Sequence, residues 1–380
     1  MLAKKNGNGE GSIYPHKKNG KKVGYRGAYW VQTAEGPKRR YVSGKTREEV
    51  RHKLTKAMAD RDGGLIFDAG NLTLGEYLNK WLDGAVRDTV KQNAWENYEY
   101  ISRVHLIPAL GSLKLKAITP AHVQVLYRSK LNSGLSGRTV KLIHTVLNKS
   151  LKYAVRHGLI PRNSCESVTP PRVMKKEIKA LSPQEAKRLL ESAKGERFEA
   201  LYVLAITAGL REGELLGLRW QDVNLDAETL SVRQQLTRTR SELSFTSPKG
   251  DKSRSIRLAS HTVRVLKHHN IAQKEERLKA GSLWQDTRLV FTTKVGTPVD
   301  VGNLTYRSFR PLLERAGLPK IRVHDLRHTF ATLLLSKGTH PKIVQEMLGH
   351  ANISMTLDTY SHVLPTMQDE AIAALEGALT

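Results

Sequence analysis

The spacing of apolar positions changes character several times along the chain. From Ser12 to about Ser43, short aromatic and β-branched runs (SIYPH, KVGYRGAYWVQT, KRRYVS) alternate with Gly, Asn and Pro. This pattern predicts a small three-stranded sheet, with Asn19-Gly20 at a tight hairpin turn. TREEVRHKLTKAMAD predicts one helix, with Thr46 as N-cap and Glu49 completing a capping box. The Gly- and Asp-rich DGGLIFDAGN reads as a linker. From Thr73 to about Arg162 the period is helical throughout. Leu74, Tyr77, Leu78, Trp81 and Leu82 form one apolar stripe, and WENYEYISRVHLIPAL, PAHVQVLYRSKL and GRTVKLIHTVLNKSLKYAVRHGL supply three further helices, the last stopping near Gly158. PRNSCESVTPPRVMKKEIKA, with Pro161, Pro170, Pro171 and a lysine run, reads as a second linker. Ser182-Pro183-Gln184-Glu185 opens another helix with a capping box and continues helically to about Trp220. Residues 228–258 switch to period two (TLSVRQQL, ELSFTS, SRSIRLA), which predicts a three-stranded antiparallel meander, and helical patterns resume at Thr262.

The expected architecture is therefore multidomain and mainly α, with an α+β last domain. It comprises a small β-sheet-plus-helix domain over 1–62, a four-helix domain over 72–165, and a mixed helical domain with a three-stranded antiparallel sheet over 178–380. A length of 380 residues suits two or three domains.

Charge narrows the class of partner. Lys and Arg number 62 against 36 Asp and Glu, a formal charge of +26. Residues 1–60 alone hold 15 basic and five acidic side chains, interleaved with Tyr14, Tyr25, Tyr29, Trp30 and Tyr41. Cations spread over folded segments favour nucleic acid through counterion release, against a solvated face or a ribosomal or membrane-surface protein. No run approaches the ~18 apolar residues of a spanning helix. MLAKKNGNGEGS lacks the apolar core of a secretory signal, so a cytoplasmic protein with no membrane partner is expected. Cys165 is the only cysteine, which excludes an internal disulfide and any cysteine-based metal site in one chain.

The chemistry is carried by polar residues set in apolar helices. No phosphate-binding loop, no G-x-S-x-G elbow and no H-E-x-x-H helix is present. Arg211 follows the apolar run ALYVLAITAGL, and at a buried helix mouth it must be paired or face a charged ligand. Glu214 is a ready partner, so a structural salt bridge is an equal reading of this segment alone. VHDLRHTFATLLLSKG sets His324, Arg327 and His328 at i, i+3 and i+4 on one face, opposite Leu326, Phe330, Leu333 and Leu334. An i, i+4 histidine pair also suits a metal. His350 follows a helix stop at Gly349, and Tyr360 comes ten residues later; by residue type alone Tyr360 reads as a core tyrosine. FTSPKGDKSRS presents Lys249, Lys252 and Arg254 near a turn.

TAGLREGELLGLRW, HDLRHTFATLLL and LGHANISMTLDTYSHV, in this order and spacing, resemble the catalytic boxes of the tyrosine recombinases, in particular phage and mobile-element integrases. The resemblance covers Lys179 to Thr380; the preceding helices are similar to the family's core-binding domain and the β-rich start to arm-type DNA-binding domains. It implies catalytic roles for Arg211, Lys249, His324, Arg327 and His350, with Tyr360 as nucleophile. Gly250 stands after Lys249 where many members carry Thr, and Lys252 is a neighbouring rival. The implied activity is site-specific recombination through a 3′-phosphotyrosine, with no cofactor and no metal. The implied partners are double-stranded DNA at core and arm-type sites, three further copies in a homotetramer, and a host bending factor or excisionase. The segment MQDEAIAALEGAL would dock on a neighbouring protomer. The competing expectations are a metal-dependent nuclease on His324, His328 and His350, a DNA-binding regulator on an idle recombinase fold, and a type IB topoisomerase or telomere resolvase sharing the chemistry.

Overall fold

The computed structural model describes residues 12–18, 21–33, 36–62, 71–173, 179–240, 242–248, 253–360, 372, 375–377 and 379. The chain divides into two compact units, Met1–Lys175 and Lys176–Thr380.

In the first unit, β1 (Ser12–Lys18), β2 (Lys21–Thr33) and β3 (Gly36–Gly44) form an antiparallel sheet in sequence order. The expected turn at Asn19-Gly20 lies outside the described residues. Tyr29 and Val31 of β2 are buried against Leu54 of α1 (Arg47–Asp62). Thr46 caps this helix by accepting from the Glu49 N–H at 3.1 Å. The Glu49 carboxylate reaches one residue further back than a capping box requires, to the Lys45 N–H at 2.8 Å. Trp30 and Tyr41 stay exposed, and guanidinium groups cover them: Arg39 lies over both rings and Arg26 over Tyr41.

The helical part of this unit contains α2 (Leu74–Trp81), α3 (Gln92–Ile101), α4 (Ile107–Leu110), α5 (Pro120–Asn132) and α6 (Gly137–Arg156). A π-turn over Ser102–Leu106 joins α3 to α4, so the expected four helices are met by α2, the α3–α4 rod, α5 and α6. Thr73 and Glu76 close a capping box at the start of α2, and Gly158 takes a left-handed φ of 66° just past α6. Leu74, Leu78, Ile101, Leu106, Ile143 and Leu147 fill the core. One expectation is corrected here. The stretch beginning at Pro161 is not all linker, because Cys165 joins this core and Ser164 donates to the Ile118 carbonyl at 2.6 Å. Its prolines and lysines, rather than its small residues, carry the linker signal.

The second unit contains α7 (Pro183–Ala193), α8 (Glu199–Ala208), α9 (Glu212–Leu216), β4 (Val223–Asn224), β5 (Thr229–Val232), β6 (Gln235–Arg238), β7 (Leu243–Thr246) and β8 (Arg254–Arg257). After these come α10 (Ser260–Ala280), α11 (Val301–Leu304), α12 (Arg310–Arg315), α13 (Asp325–Leu335), α14 (Pro341–Leu348) and α15 (Ile353–Tyr360). Helix α8 is apolar nearly all round and lies in the core, with Leu201, Tyr202, Leu204 and Ala208 inaccessible. The three-stranded antiparallel sheet is present, but its strands are not those of a simple meander. TLSVRQQL breaks at Arg233-Gln234, where the Gln234 amide donates to the Gly217 carbonyl at 2.8 Å. The sheet order is therefore β4-β5-β8, and β6 pairs separately with β7.

Candidate active site

The site is built where buried chain ends meet. Helix α8 ends at Gly209 with a left-handed φ of 60°, and a Cβ there would stand 2.3 Å from the Phe330 ring. Only glycine allows the chain to turn this close to α13. The turn aims the Gly209 carbonyl at α13, where Arg327 Nη1 donates to it at 2.7 Å. It also delivers Arg211 to the first turn of α9. There the Arg211 N–H donates to the Glu214 carboxylate at 2.8 Å and its Nη1 donates to the same group at 2.7 Å.

Glu214 holds two arginines. Arg254 of β8 reaches it with Nη1 at 3.0 Å and Nη2 at 2.6 Å. The Glu214 side chain has no solvent exposure and that of Arg254 only 11%. Burial alone would push this carboxyl up. The hydrogen bond and charge of Arg254, followed by the N–H and charge of Arg211, outweigh burial and bring it down to about 2.

The end of α14 gathers the three guanidinium groups. Met347, Leu348 and Gly349 offer consecutive carbonyls that the helix leaves unpaired. Arg254 Nε donates to the first at 2.9 Å, Arg327 Nη2 to the second at 2.7 Å and Arg211 Nη2 to the third at 2.8 Å. A helix C-terminus carries partial negative charge, so its last carbonyls suit cations. Three arginines against one carboxylate still leave two positive charges over in this network. Burial, and then the charge of Arg211, lower Arg327 to about 9, so like charges are held together against their repulsion.

Gly349 takes a left-handed φ of 63°, which ends α14 and turns His350 back over the cluster. His350 is fixed through Nδ1 to the Thr356 hydroxyl at 2.9 Å, and its carbonyl accepts from the Gln345 amide at 2.6 Å. Burial, with Arg327 and Arg211 next, holds its imidazole down at about 4. His324 stands at the start of α13, and burial followed by Arg327 lowers it as well. Its ring meets that of His328 edge-on at 5.5 Å. Tyr360, the last residue of α15, is buried among Phe330, Ala331, Leu335, Val344 and Leu348. Its hydroxyl lies 2.8 Å from His328 Nδ1. Burial pushes the phenol up to about 12, opposed by the charge of Arg327.

Arg211, His324, Arg327, His350 and Tyr360 are thus brought together within one unit. Lys249, with its rival Lys252, lies outside the described residues. Three participants exceed the sequence reading. Glu214 serves two arginines rather than one. Arg254, read only as a basic residue near a turn, is a largely buried member of the cluster with its side chain 11% exposed, and its place in an alternating strand (RSIR) was the available signal. His328, read as a candidate metal ligand, bonds the tyrosine instead. Among the described residues no three His, Cys, Asp or Glu side chains are grouped to hold a metal ion. Nor is any described helix long and apolar enough to cross a membrane.

Comparisons with known proteins agree on one family. Residues 179–367 match the phage integrase family, and residues 73–132 match the phage integrase N-terminal SAM-like domain. A tyrosine recombinase XerC-like protein of Caldanaerobacter subterraneus is 32% identical over 94% of this chain and 97% of its own length. An integrase of Streptomyces ambofaciens is 30% identical over 98% of this chain and 97% of its own. Among solved structures, the Tn1549 transposon integrase in complex with transposon right end DNA superposes with a TM-score of 0.70 at 23% identity, covering 81% of this chain and all of that one.

Proposed function

Because this chain belongs to the phage integrase family and is a tyrosine-type site-specific recombinase, we propose that Tyr360 is its nucleophile and that Arg211, Arg327, His324 and His350 form the pocket for the scissile phosphate. A DNA phosphodiester is so inert that its cleavage needs on the order of 20 kcal/mol of barrier lowering. Attack by the Tyr360 oxygen loads negative charge onto the non-bridging oxygens, where fixed guanidinium forks act most strongly. The surplus of positive charge beside the end of α14 suits one such group. His324 and His350, held neutral by burial and the neighbouring arginines, offer hydrogen bonds rather than further charge.

Lys249 is the general acid for the leaving 5′-oxygen in this reading. The 3′-phosphotyrosine conserves the ester bond, so a 5′-hydroxyl from another strand reverses the step and joins new partners without ATP. The segments 1–62, 72–165 and 178–380 then act as arm-type DNA-binding, core-binding and catalytic domains. Arg26, Arg39, Trp30 and Tyr41 on the exposed sheet face are suited to the arm-type site. The partners are duplex DNA of the bacterial nucleoid, three further copies of the chain in a tetramer, and a bending factor or excisionase. A solved lambda integrase tetramer bound to a Holliday junction shares the fold, with a TM-score of 0.58.

The observation that carries this reading is the position of Tyr360 in the same unit as the arginines, close enough for the charge of Arg327 to act on its phenol. The test is a nicked suicide duplex spanning the joined ends of the element that carries the gene. Tyr360→Phe is expected to bind this duplex as the parent does and to form no covalent adduct. An adduct in that variant would remove Tyr360 from the reaction.

A further inference from the structure

A phenol held at about 12 is fully protonated at neutral pH, so the nucleophile must lose a proton as it attacks. The resemblance offers His324 for this proton, but among the described residues no hydrogen bond joins His324 to the Tyr360 hydroxyl. Among the described residues the Tyr360 hydroxyl has one hydrogen-bond partner, the Nδ1 of His328 at 2.8 Å. We infer that His328 is a further catalytic residue, the general base that takes the Tyr360 proton. The inference rests on Tyr360 being the nucleophile.

Geometry and charge support this direction of transfer. His328 is one turn along α13 from His324 and directly follows Arg327, so the rigid helix that places the phosphate-binding guanidinium also places the base. The hydroxyl sits at the end of α15 in a closed apolar cluster, which fixes its approach to the imidazole. Burial first, then His324, keep the His328 ring neutral, and Arg327 and Arg322 add to this while Asp325 opposes it. A neutral imidazole with its proton on Nε2 presents a bare Nδ1 to the phenol and can accept. A bound phosphate brings negative charge beside those same cations and so favours the imidazolium. The step balances as follows. The Tyr360 oxygen forms its bond to phosphorus and its proton passes to His328 Nδ1, while the bond from phosphorus to the 5′-oxygen breaks and that oxygen takes a proton from the general acid. In the reverse reaction His328 returns its proton to the departing phenol.

The test uses the full chain and the same nicked duplex. His328→Asn keeps a polar atom where Nδ1 stands but has no basicity. It is expected to bind the duplex as the parent does and to cleave at least ~10²-fold more slowly. Placing 3,5-difluorotyrosine, a more acidic phenol, at position 360 of that variant is expected to restore most of the lost rate. The same substitution in an Arg327→Lys chain should restore none. Cleavage by His328→Asn at the parental rate overturns the inference. So does a slow variant that the acidic phenol fails to rescue, since His328 would then only hold the ring in place. A second measurement leaves His328 intact and so stands even if the variant does not fold. With a 5′-bridging sulfur in the DNA, the leaving group departs without a proton, and the phenol proton alone is transferred. Cleavage is then expected to slow in D2O, and an unchanged rate overturns the inference. Failure of the nucleophile reading is seen separately, as an adduct formed by Tyr360→Phe.

Discussion

Arg254→Leu tests whether the site is held together by one buried carboxylate. Arg254 makes three hydrogen bonds, at 2.6 and 3.0 Å to Glu214 and at 2.9 Å to the Met347 carbonyl. Removing one partner of a buried ion pair costs about 3–5 kcal/mol, because the remaining charge stays buried and uncompensated. Glu214 would keep only Arg211, and burial would then raise its carboxyl from the present value of about 2. At ~2–4 °C per kcal/mol for a unit the size of Lys176–Thr380, the melting temperature of that unit should fall by roughly 6–20 °C. Calorimetry on the full chain reads this directly, with the transition of Met1–Lys175 as an internal reference. The acid limb supplies a second check. A carboxyl lowered from 4.5 to about 2 on folding contributes stability that is complete above pH 4.5 and disappears as the pH falls towards 2. At ~1.4 kcal/mol per unit this is roughly 3 kcal/mol, and most of it should vanish in Arg254→Leu. The double variant Arg254→Leu with Glu214→Leu should recover much of the melting temperature, since an apolar pair of similar volume replaces a buried ion pair at little cost. It should not recover DNA cleavage, because Arg211 then lacks its carboxylate. A single Leu variant melting within about 1 kcal/mol of the parent would refute the argument, as would an unchanged acid limb.

Two further outcomes follow from the same geometry. Lys249→Ala and Lys252→Ala should differ when cleavage of ordinary DNA is compared with DNA carrying a 5′-bridging sulfur. A thiolate leaves without a proton, so the sulfur substrate should rescue Lys249→Ala, and rescue of Lys252→Ala instead would move the general acid to that position. Gly349→Ala should slow cleavage and lower the melting temperature by a few degrees. Its φ of 63° costs a Cβ roughly 1–2 kcal/mol, and the new Cβ would stand 2.9 Å from the pinned Arg254 guanidinium; a parental cleavage rate would show that the end of α14 does not set the arginines.

Helical spacing made most of the framework legible. The stripe from Leu74 to Leu82 became α2, and the all-apolar run before Arg211 became the buried α8. Gly349 ended its helix as expected, because a left-handed terminus has few other residues to choose from. Short strands were harder to read. Period two persists through TLSVRQQL although the chain turns at Arg233-Gln234, and only the tertiary bond from Gln234 to the Gly217 carbonyl marks the break. The pairing of Glu214 with Arg211 was legible because the two lie one helical turn apart, whereas the pairing of Glu214 with Arg254 spans 40 residues and two sheets. His328 was visible as an i+4 neighbour of His324, but its partner at position 360 was not, because local spacing carries no information about which distant helix end closes over the face.

The convergence of Arg211, Arg254 and Arg327 on one helix end explains how a cationic pocket can exist before its anion arrives. Like charges this close repel, and Arg211 accordingly adds to the burial that lowers Arg327 to about 9. A second buried carboxylate would ease the repulsion, but it would also halve the surplus positive charge. The fold instead spends three carbonyl dipoles, which orient and partly compensate the guanidinium groups while adding no full negative charge. The charge deficit that remains is the one a phosphate making new bonds can fill. In the reaction proposed above, that deficit would grow more valuable as the phosphorus becomes five-coordinate and its oxygens gain charge, which is the condition for favouring a transition state over a ground state.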